Sequence, residues 1–379
     1  MKDWEGNRIG DIVNCNPSVK LEKGKSYPLI DIDKIIVGNK YVTNKTEILF
    51  SGQSGSRFEH GDTLMARITP CLENGKIAQA KIEDKGIGST ELFVFRGIDG
   101  ITDNDYVYYL FKQQYIRNLC ANSMSGASGR QRADLKFIKN IKVSLPPIPL
   151  QRRIASILSA YDALIDLNTR RIRLLEQMAE HLYREWFVRF RFPNHENTPI
   201  VDGLPQGWRV ETVDKFCKVF TGKKDVNQTI ESGKYPFFSC SAQDYRSDDY
   251  IYDGKAILVA GNGNTGKSKF YDGKFDLYQR TYAIVNETDF IYYLYWRFKT
   301  DFELQYAGGS RGTAIPYIVL KNITKYKFVY NQEMIERFVS IVKPMMQQIS
   351  LLQRQSSLLA RQRDLLLPRL LGGKIEVGE

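Results

Sequence analysis

Histidine and cysteine are scarce, at three and five residues in 379. Cys15, Cys71, Cys120, Cys217 and Cys240 are odd in number and never closer than 23 residues, which argues against a disulfide framework and against zinc-ligand spacing. Reduced, packed thiols are expected. His60, His181 and His195 add no metal-like spacing, so no metal site is expected in this chain. No apolar run approaches the ~20 residues of a membrane span. The start, Met1-Lys2-Asp3-Trp4-Glu5-Gly6, offers no signal-peptide core, so a cytoplasmic location is expected. Acid is also in short supply: 43 acidic against 54 basic residues leave a net charge of +11. A folded chain that basic has a polyanion as its first candidate partner, and nucleic acid leads that class.

The length predicts two or three domains, and the chain repeats itself. Trp4, Ile9 and Asp11 are answered by Trp208, Val213 and Asp214. Gly61-Asp62-Thr63-Leu64-Met65-Ala66 resembles Gly254-Lys255-Ala256-Ile257-Leu258-Val259, and Gly75-Lys76 matches Gly266-Lys267. The aromatic run from Tyr106 to Lys112 returns as Tyr292 to Lys299. A small-residue loop recurs as Ser125-Gly126-Ala127-Ser128-Gly129-Arg130 and Gly308-Gly309-Ser310-Arg311-Gly312, followed by Lys139-Asn140-Ile141 and Lys321-Asn322-Ile323. The order is preserved throughout, as an internal duplication requires.

Each half closes on a long stretch without internal glycine. The first presents Ile154, Leu158, Tyr161, Ile165, Asn168, Ile172, Leu175, Ala179, Leu182 and Trp186; adding 184 gives Phe338, Val342, Met345, Ile349, Leu352, Ser356, Leu359, Arg363, Leu366 and Leu370. That period, held over more than four heptads, is the seam of a left-handed coiled coil. The two helices should pair antiparallel, related by a pseudo-twofold axis, with one head at each end and a fixed span between them. Pro344 and Pro368 are expected to kink or end parts of the second helix. The resulting fold class is α+β: two tandem α/β heads, each followed by a long helix. The predicted boundaries are a first head over 1–147, a helix over 148–192, a linker over 193–207, a second head over 208–332, and a helix with its tail over 333–379.

The heads combine basic residues, aromatics and glycine-rich loops, a composition suited to tracking phosphates and touching base edges. The candidates are Arg57, Arg67, Lys76, Arg130, Arg132 and Lys136 in the first head, and Asn262, Asn264, Lys267, Lys269, Arg280 and Arg311 in the second. Arginine pairs bidentately with guanine and asparagine with adenine, whereas lysine more often serves phosphate. The aromatic runs read as core.

Two catalytic motifs are deceptive. Gly261-Asn262-Gly263-Asn264-Thr265-Gly266-Lys267-Ser268 matches the P-loop pattern, which needs a helix at the last glycine. The next residues, Lys269-Phe270-Tyr271-Asp272-Gly273-Lys274-Phe275, form an alternating run broken by Asp-Gly, the signature of a β-hairpin. Asp62 with Glu83-Asp84-Lys85 only loosely imitates a metal-nuclease site, and the second half lacks it. No catalytic residue is expected.

Two diverged heads, each followed by a long helix, resemble the specificity subunit of type I restriction-modification systems. The match rests on Leu145-Pro146-Pro147-Ile148-Pro149-Leu150-Gln151-Arg152-Arg153-Ile154, on Gly203-Leu204-Pro205-Gln206-Gly207-Trp208, and on Arg363-Asp364-Leu365-Leu366-Leu367-Pro368-Arg369-Leu370-Leu371. The second junction, Val329-Tyr330-Asn331-Gln332-Glu333, departs from the pattern by lacking the Pro-Pro run. The resemblance implies that each head reads one part of a split DNA site, with the helices fixing the unread gap. It further implies two docked copies of a DNA adenine methyltransferase subunit and an ATP-driven restriction and translocase subunit. S-adenosylmethionine, ATP and Mg are then expected on those partners and no cofactor on this chain. The alternatives are a stand-alone sequence-specific DNA-binding protein and an ATP-binding enzyme built on the Gly261–Ser268 loop.

Overall fold

The computed structural model describes residues 4–126, 130–241, 243, 245–307 and 317–377. It divides into two compact units, Met1–Arg170 with Leu352–Glu379, and Arg171–Leu351. Both therefore contain one head and a stretch of each long helix. The boundaries expected at the head-to-helix junctions do not coincide with these units. The reason is packing: Ile154, Ala155, Leu158, Leu367, Leu370 and Leu371 share one buried cluster with the aromatic helix of the first head. Ala179, Tyr183, Phe338 and Val342 do the same for the second.

In the first unit the opening strand Glu5–Arg8 pairs antiparallel with Lys142–Leu145, the strand that leads into the first long helix. A five-stranded sheet runs in the order Val13–Cys15, Leu92–Gly97, Thr63–Ala66, Ile77–Ala80, Tyr41–Val42. A four-stranded sheet lies in the order Glu47–Leu49, Ser26–Ile30, Lys85–Gly88, Ser56–Glu59. The helix Asn104–Lys112 is capped by the Asp103 carboxylate, which accepts from the Tyr106 N–H, and buries Tyr106 to Phe111. Phe111 stacks on Phe95 of the sheet at 3.8 Å between ring centres, which settles the aromatic run as core.

The second unit repeats the plan. Arg209–Thr212 pairs antiparallel with Lys327–Tyr330, the strand before the second long helix. A six-stranded sheet follows the order Lys218–Thr221, Thr281–Val285, Tyr252–Ala260, Ser268–Leu277, Tyr235–Phe238, Tyr245–Ser247. The helix Phe290–Arg297 buries Ile291 to Trp296, and Tyr292 stacks on Phe270 of the sheet.

The first long helix covers Ile148–Tyr183 and closes in a π-turn, Arg184–Val188. It is shorter than the expected 148–192 because Phe190 adopts a left-handed φ of 56°. The turned-back chain places Phe187, Phe190 and Phe192 around Trp208, at 5.0 to 5.6 Å between ring centres. Beyond it, Ile200–Val201 pairs with Leu204–Pro205 about Asp202-Gly203, both at positive φ, the conformation of a tight hairpin turn. The second helix runs unbroken through Gln332–Leu371. Pro344 and Pro368 neither end nor divide it, contrary to expectation. Both lie on its exposed face, where a proline removes a single backbone donor while the buried face keeps its packing. The missing Pro-Pro run is replaced by a cap, the Asn331 side chain accepting from the Met334 N–H at 3.0 Å. Gly372 and Gly373 end the helix, with the left-handed Gly373 N–H returning to the Leu370 carbonyl.

In each unit an early part of one helix meets a late part of the other, so the pairing is antiparallel. Asn168 Nδ2 donates to Gln355 Oε1 and Ser356 Oγ in the first unit, and Tyr183 and Phe187 pack on Phe338 in the second. Of the expected seam, Ile154, Leu158, Phe338, Val342, Ile349 and Leu352 are buried. Tyr161, Ile165, Ile172, Leu175, Leu182, Met345, Leu359 and Leu366 are half-buried. The seam is not uniformly apolar. Asp162, one position off the expected stripe, is buried with Arg363.

Candidate nucleic-acid interface

Duplication of the sequence becomes duplication of one surface. In the first unit the strands Thr63–Ala66 and Ile77–Ala80 pair antiparallel, and residues 67–76 form the tip between them. The tip catches the small-residue loop: the Thr69 N–H donates to the Gln131 carbonyl, the Ala133 N–H donates to the Arg67 carbonyl, and Arg132 bridges to Ile68 and Ser125. Arg67 and Arg132 thereby come together, while Lys76 closes the tip with its ammonium turned to the Ile32 carbonyl and Arg130 is exposed on the small-residue loop. In the second unit Tyr252–Ala260 and Ser268–Leu277 pair antiparallel, and residues 261–267 form the equivalent tip. Its Gly261 donates its N–H to the Arg280 carbonyl and its carbonyl accepts the Ile318 N–H. Asn262, Asn264, Lys267 and the Arg280 backbone come together there. Arg311 lies outside the described residues.

The chemistry of the two tips differs. In the first, Arg67 and Arg132 converge on Glu91: Arg132 Nε and Nη2 donate to its carboxylate at 2.6 to 3.0 Å, and Arg67 Nε lies 3.5 Å from it. These guanidiniums hold the Glu91 carboxyl below its usual range. Lys76 Nζ donates to the Ile32 carbonyl at 2.8 Å, whereas Arg130 is exposed. The second tip presents exposed Asn264 and Lys267 with half-buried Asn262, and exposed Lys269 packs its ammonium 4.7 Å from the Phe238 ring. Arg57 and Lys136 stand apart from the first tip. Arg57 lies over the Phe50 ring on Ser56–Glu59, and Lys136 is exposed on Leu135–Asn140.

Neither deceptive motif builds a catalytic site. After Lys267 the chain enters the strand Ser268–Leu277 directly, so no helix opens at the last glycine as a P-loop requires. Its glycines serve close packing: a Cβ at Gly261 would fall 2.5 Å from the Arg280 carbonyl oxygen, and one at Gly266 2.7 Å from Tyr306. The Ser268 hydroxyl is committed to Glu303 at 2.7 Å. Asp62 is buried and clamped by Arg96, whose Nε and Nη2 each donate at 2.7 Å, which leaves no ligand for a metal. Among the described residues no three His, Cys, Asp or Glu side chains gather as metal ligands, and no helix is long and apolar enough to cross a membrane. All five cysteines are free thiols. Burial pushes Cys15 up to about 11 and Cys120 and Cys217 up to about 12, so these three are poor nucleophiles.

The coil carries a surface that the seam pattern did not single out. Ile157, Leu167 and Leu174 on the first helix and Ile341, Leu351 and Leu358 on the second are 37% to 66% exposed. Every one immediately precedes a seam residue, so these side chains form a second apolar stripe about 100° around each helix. The same offset of 184 relates the three pairs, a signal already present in the sequence.

Comparison with known proteins agrees with this architecture. The family described as type I restriction modification DNA specificity domain matches residues 1–177 and 205–339. The MjaIX specificity subunit of Methanocaldococcus jannaschii, a type I restriction enzyme component, is 27% identical over 430 residues, covering 100% of this chain and 95% of that one. The EcoDI specificity subunit of Escherichia coli is 37% identical over 124 residues, 32% of this chain and 27% of that one. Among solved structures, the S subunit of a type I restriction-modification system from M. genitalium superposes with a TM-score of 0.58 at 15% identity, over 97% of this chain and 96% of that one, a likeness of fold. With both repeats matched by one family, the chain belongs to the type I restriction modification DNA specificity family.

Proposed function

We propose that this chain is the DNA-reading, non-catalytic specificity subunit of a type I restriction-modification complex. The observation that carries this reading is the paired surface: the same hairpin tip recurs in both units with different side chains. One scaffold offering two chemistries suits an asymmetric, two-part DNA site, each head reading one part. Tip residues would reach base edges, and the surrounding lysines and arginines the phosphates. The paired helices fix the length of the unread gap.

The repeated exposed stripe supports the partner assignment. A pair of equivalent apolar surfaces fits two copies of one partner, here the adenine methyltransferase subunit, with a restriction and translocase subunit joining it. S-adenosylmethionine, ATP and Mg belong on those partners. The test is a map of methyladenine in DNA from cells expressing a cognate methyltransferase subunit with and without this chain. Modification that depends on the chain, at one two-part sequence with a constant gap, is the expected result. A complex that forms but adds no chain-dependent methylation would favour the stand-alone DNA-binding reading.

A further inference from the structure

The two halves of the coil solve their cores differently. In the first unit Asp162 and Arg363, their side chains 1% and 2% exposed, form a buried ion pair. Tyr109 donates its hydroxyl to the other Asp162 oxygen, and Arg363 Nε donates to Asp364 at 2.9 Å. Moving each member by the repeat offset of 184 lands on Met346 and Ala179. Both are buried in the core of the second unit. Nearby in the first unit, Asn168 hydrogen-bonds Ser356, two polar residues whose positions in the repeat are taken by the apolar Leu352 and Ile172.

We infer that the Asp162–Arg363 pair is a pairing key, which makes the first helix complementary to the second and not to another copy of itself. A duplicated coil invites like-with-like association, because each helix still resembles its repeat. In two copies of the first helix paired antiparallel in the same register, Asp162 faces Ala179 twice over, and two carboxylates are stranded. In two copies of the second, Arg363 faces Met346 twice and two guanidiniums lose their buried carboxylate, each keeping only the exposed Asp364 beside it. Only the unlike pair matches the charges. Stranding a buried charge carries a far larger penalty than replacing both partners by apolar residues of suitable shape. The pair therefore acts by excluding wrong associations, as polar residues in coiled-coil cores do. This inference concerns how the chain pairs with itself and stands whether or not the heads read DNA as proposed.

The experiment compares full-length wild type with Asp162→Met/Arg363→Ala, which copies the second unit's layer into the first, after unfolding and refolding over a series of protein concentrations. Molar mass by light scattering on a sizing column is the readout, with thermal melting alongside. Wild type should return to one mass at every concentration. The double variant should melt no lower, yet place at least about tenfold more chain in concentration-dependent oligomers, since like helices no longer strand a charge. A double variant that melts like wild type and refolds to the same mass distribution overturns the inference, as does a wild type that itself associates to the same extent. Should the double variant not fold, Asp162→Asn decides, because it keeps the side-chain shape and removes the charge. It should show the same redistribution in smaller amount, and unchanged masses for it would equally reject the key.

Discussion

The first and second units share a plan and part company at two places, the hairpin tip and the coil core. At the tip, the first unit locks Arg67 and Arg132 onto Glu91, while the second presents amides and glycine. In the coil, the first unit buries charge where the second buries Met346 and Ala179. What stays the same is the frame: the head's opening strand paired to the strand that starts its long helix, and an aromatic helix packed under the sheet. A duplicated scaffold thus keeps its frame and diverges at the tips, where DNA reading is proposed, and where the two long helices meet in the coil.

The coil contrast can be broken most severely. Asp162→Ala leaves Arg363 buried with only the exposed Asp364 as partner and should cost about 3–5 kcal/mol, a loss recovered in part by adding Arg363→Met, which removes the uncompensated charge and keeps much of the volume. Met346→Ala in the second unit should cost about 2–5 kcal/mol through a cavity, with no second-site rescue at Ala179. Denaturant unfolding of the full chain followed by circular dichroism checks both. Strict additivity of the Asp162 and Arg363 effects would mean that the pair is not coupled.

The outer stripe tests the proposed docking of two equivalent partner copies. Leu167→Asp and Leu351→Asp should each leave melting within about 0.5 kcal/mol of wild type, because both side chains are exposed. Each should weaken docking of one methyltransferase copy by about 2 kcal/mol or more, and the double variant should lose both. Native mass spectrometry counts the copies directly. Retention of two copies by the double variant would place docking elsewhere.

Differences between the tips should appear as one-sided changes in specificity. Asn264→Ala should relax the sequence read by the second head by about 1–3 kcal/mol of discrimination at one base pair, leaving the first half-site and the gap as they were. Arg130→Ala should change only the first half-site, or weaken binding uniformly if it serves phosphate. Methylation maps of each variant give the answer position by position. Relaxation of the wrong half-site by either variant would reverse the assignment of heads to half-sites.

Much of the frame was legible in the sequence because it rests on periodicity and order. The offset of 184 between Ile154 and Phe338, or between Leu158 and Val342, carries the seam, and alternation after Lys267 marks a strand where a P-loop demands a helix. Tertiary detail was not legible. Asp162 sits one position off the seam, so nothing in its spacing announces burial; Arg363 and Tyr109, 201 and 53 residues away in sequence, make it tolerable. Likewise Glu91, which ties Arg67 to Arg132, belongs to no motif. The prolines misled for a related reason, since a local helix-breaking rule at Pro344 and Pro368 is outweighed by packing along 40 residues of helix.

The smallest expected effect lies beside the buried pair. Lys112 is packed against Tyr108, to whose hydroxyl its ammonium donates at 3.3 Å. Burial, with Arg363 nearby, pushes it down to about 8. In the unfolded chain a lysine keeps its proton up to about 10.4. Between these values the unfolded state binds more protons than the folded one, so stability should rise with pH, by up to about 1 kcal/mol from pH 8 to 9. Above pH 10 the buried tyrosines reverse the trend: burial raises Tyr108 and Tyr109 above their ordinary range, so the unfolded chain ionises first. Lys112→Met should flatten the rise between pH 8 and 9 and leave the fall above 10 in place. Melting profiles of the two proteins at half-unit pH steps check this. An identical rise in the variant would assign it to another group and remove Lys112 from the charge balance around Asp162 and Arg363.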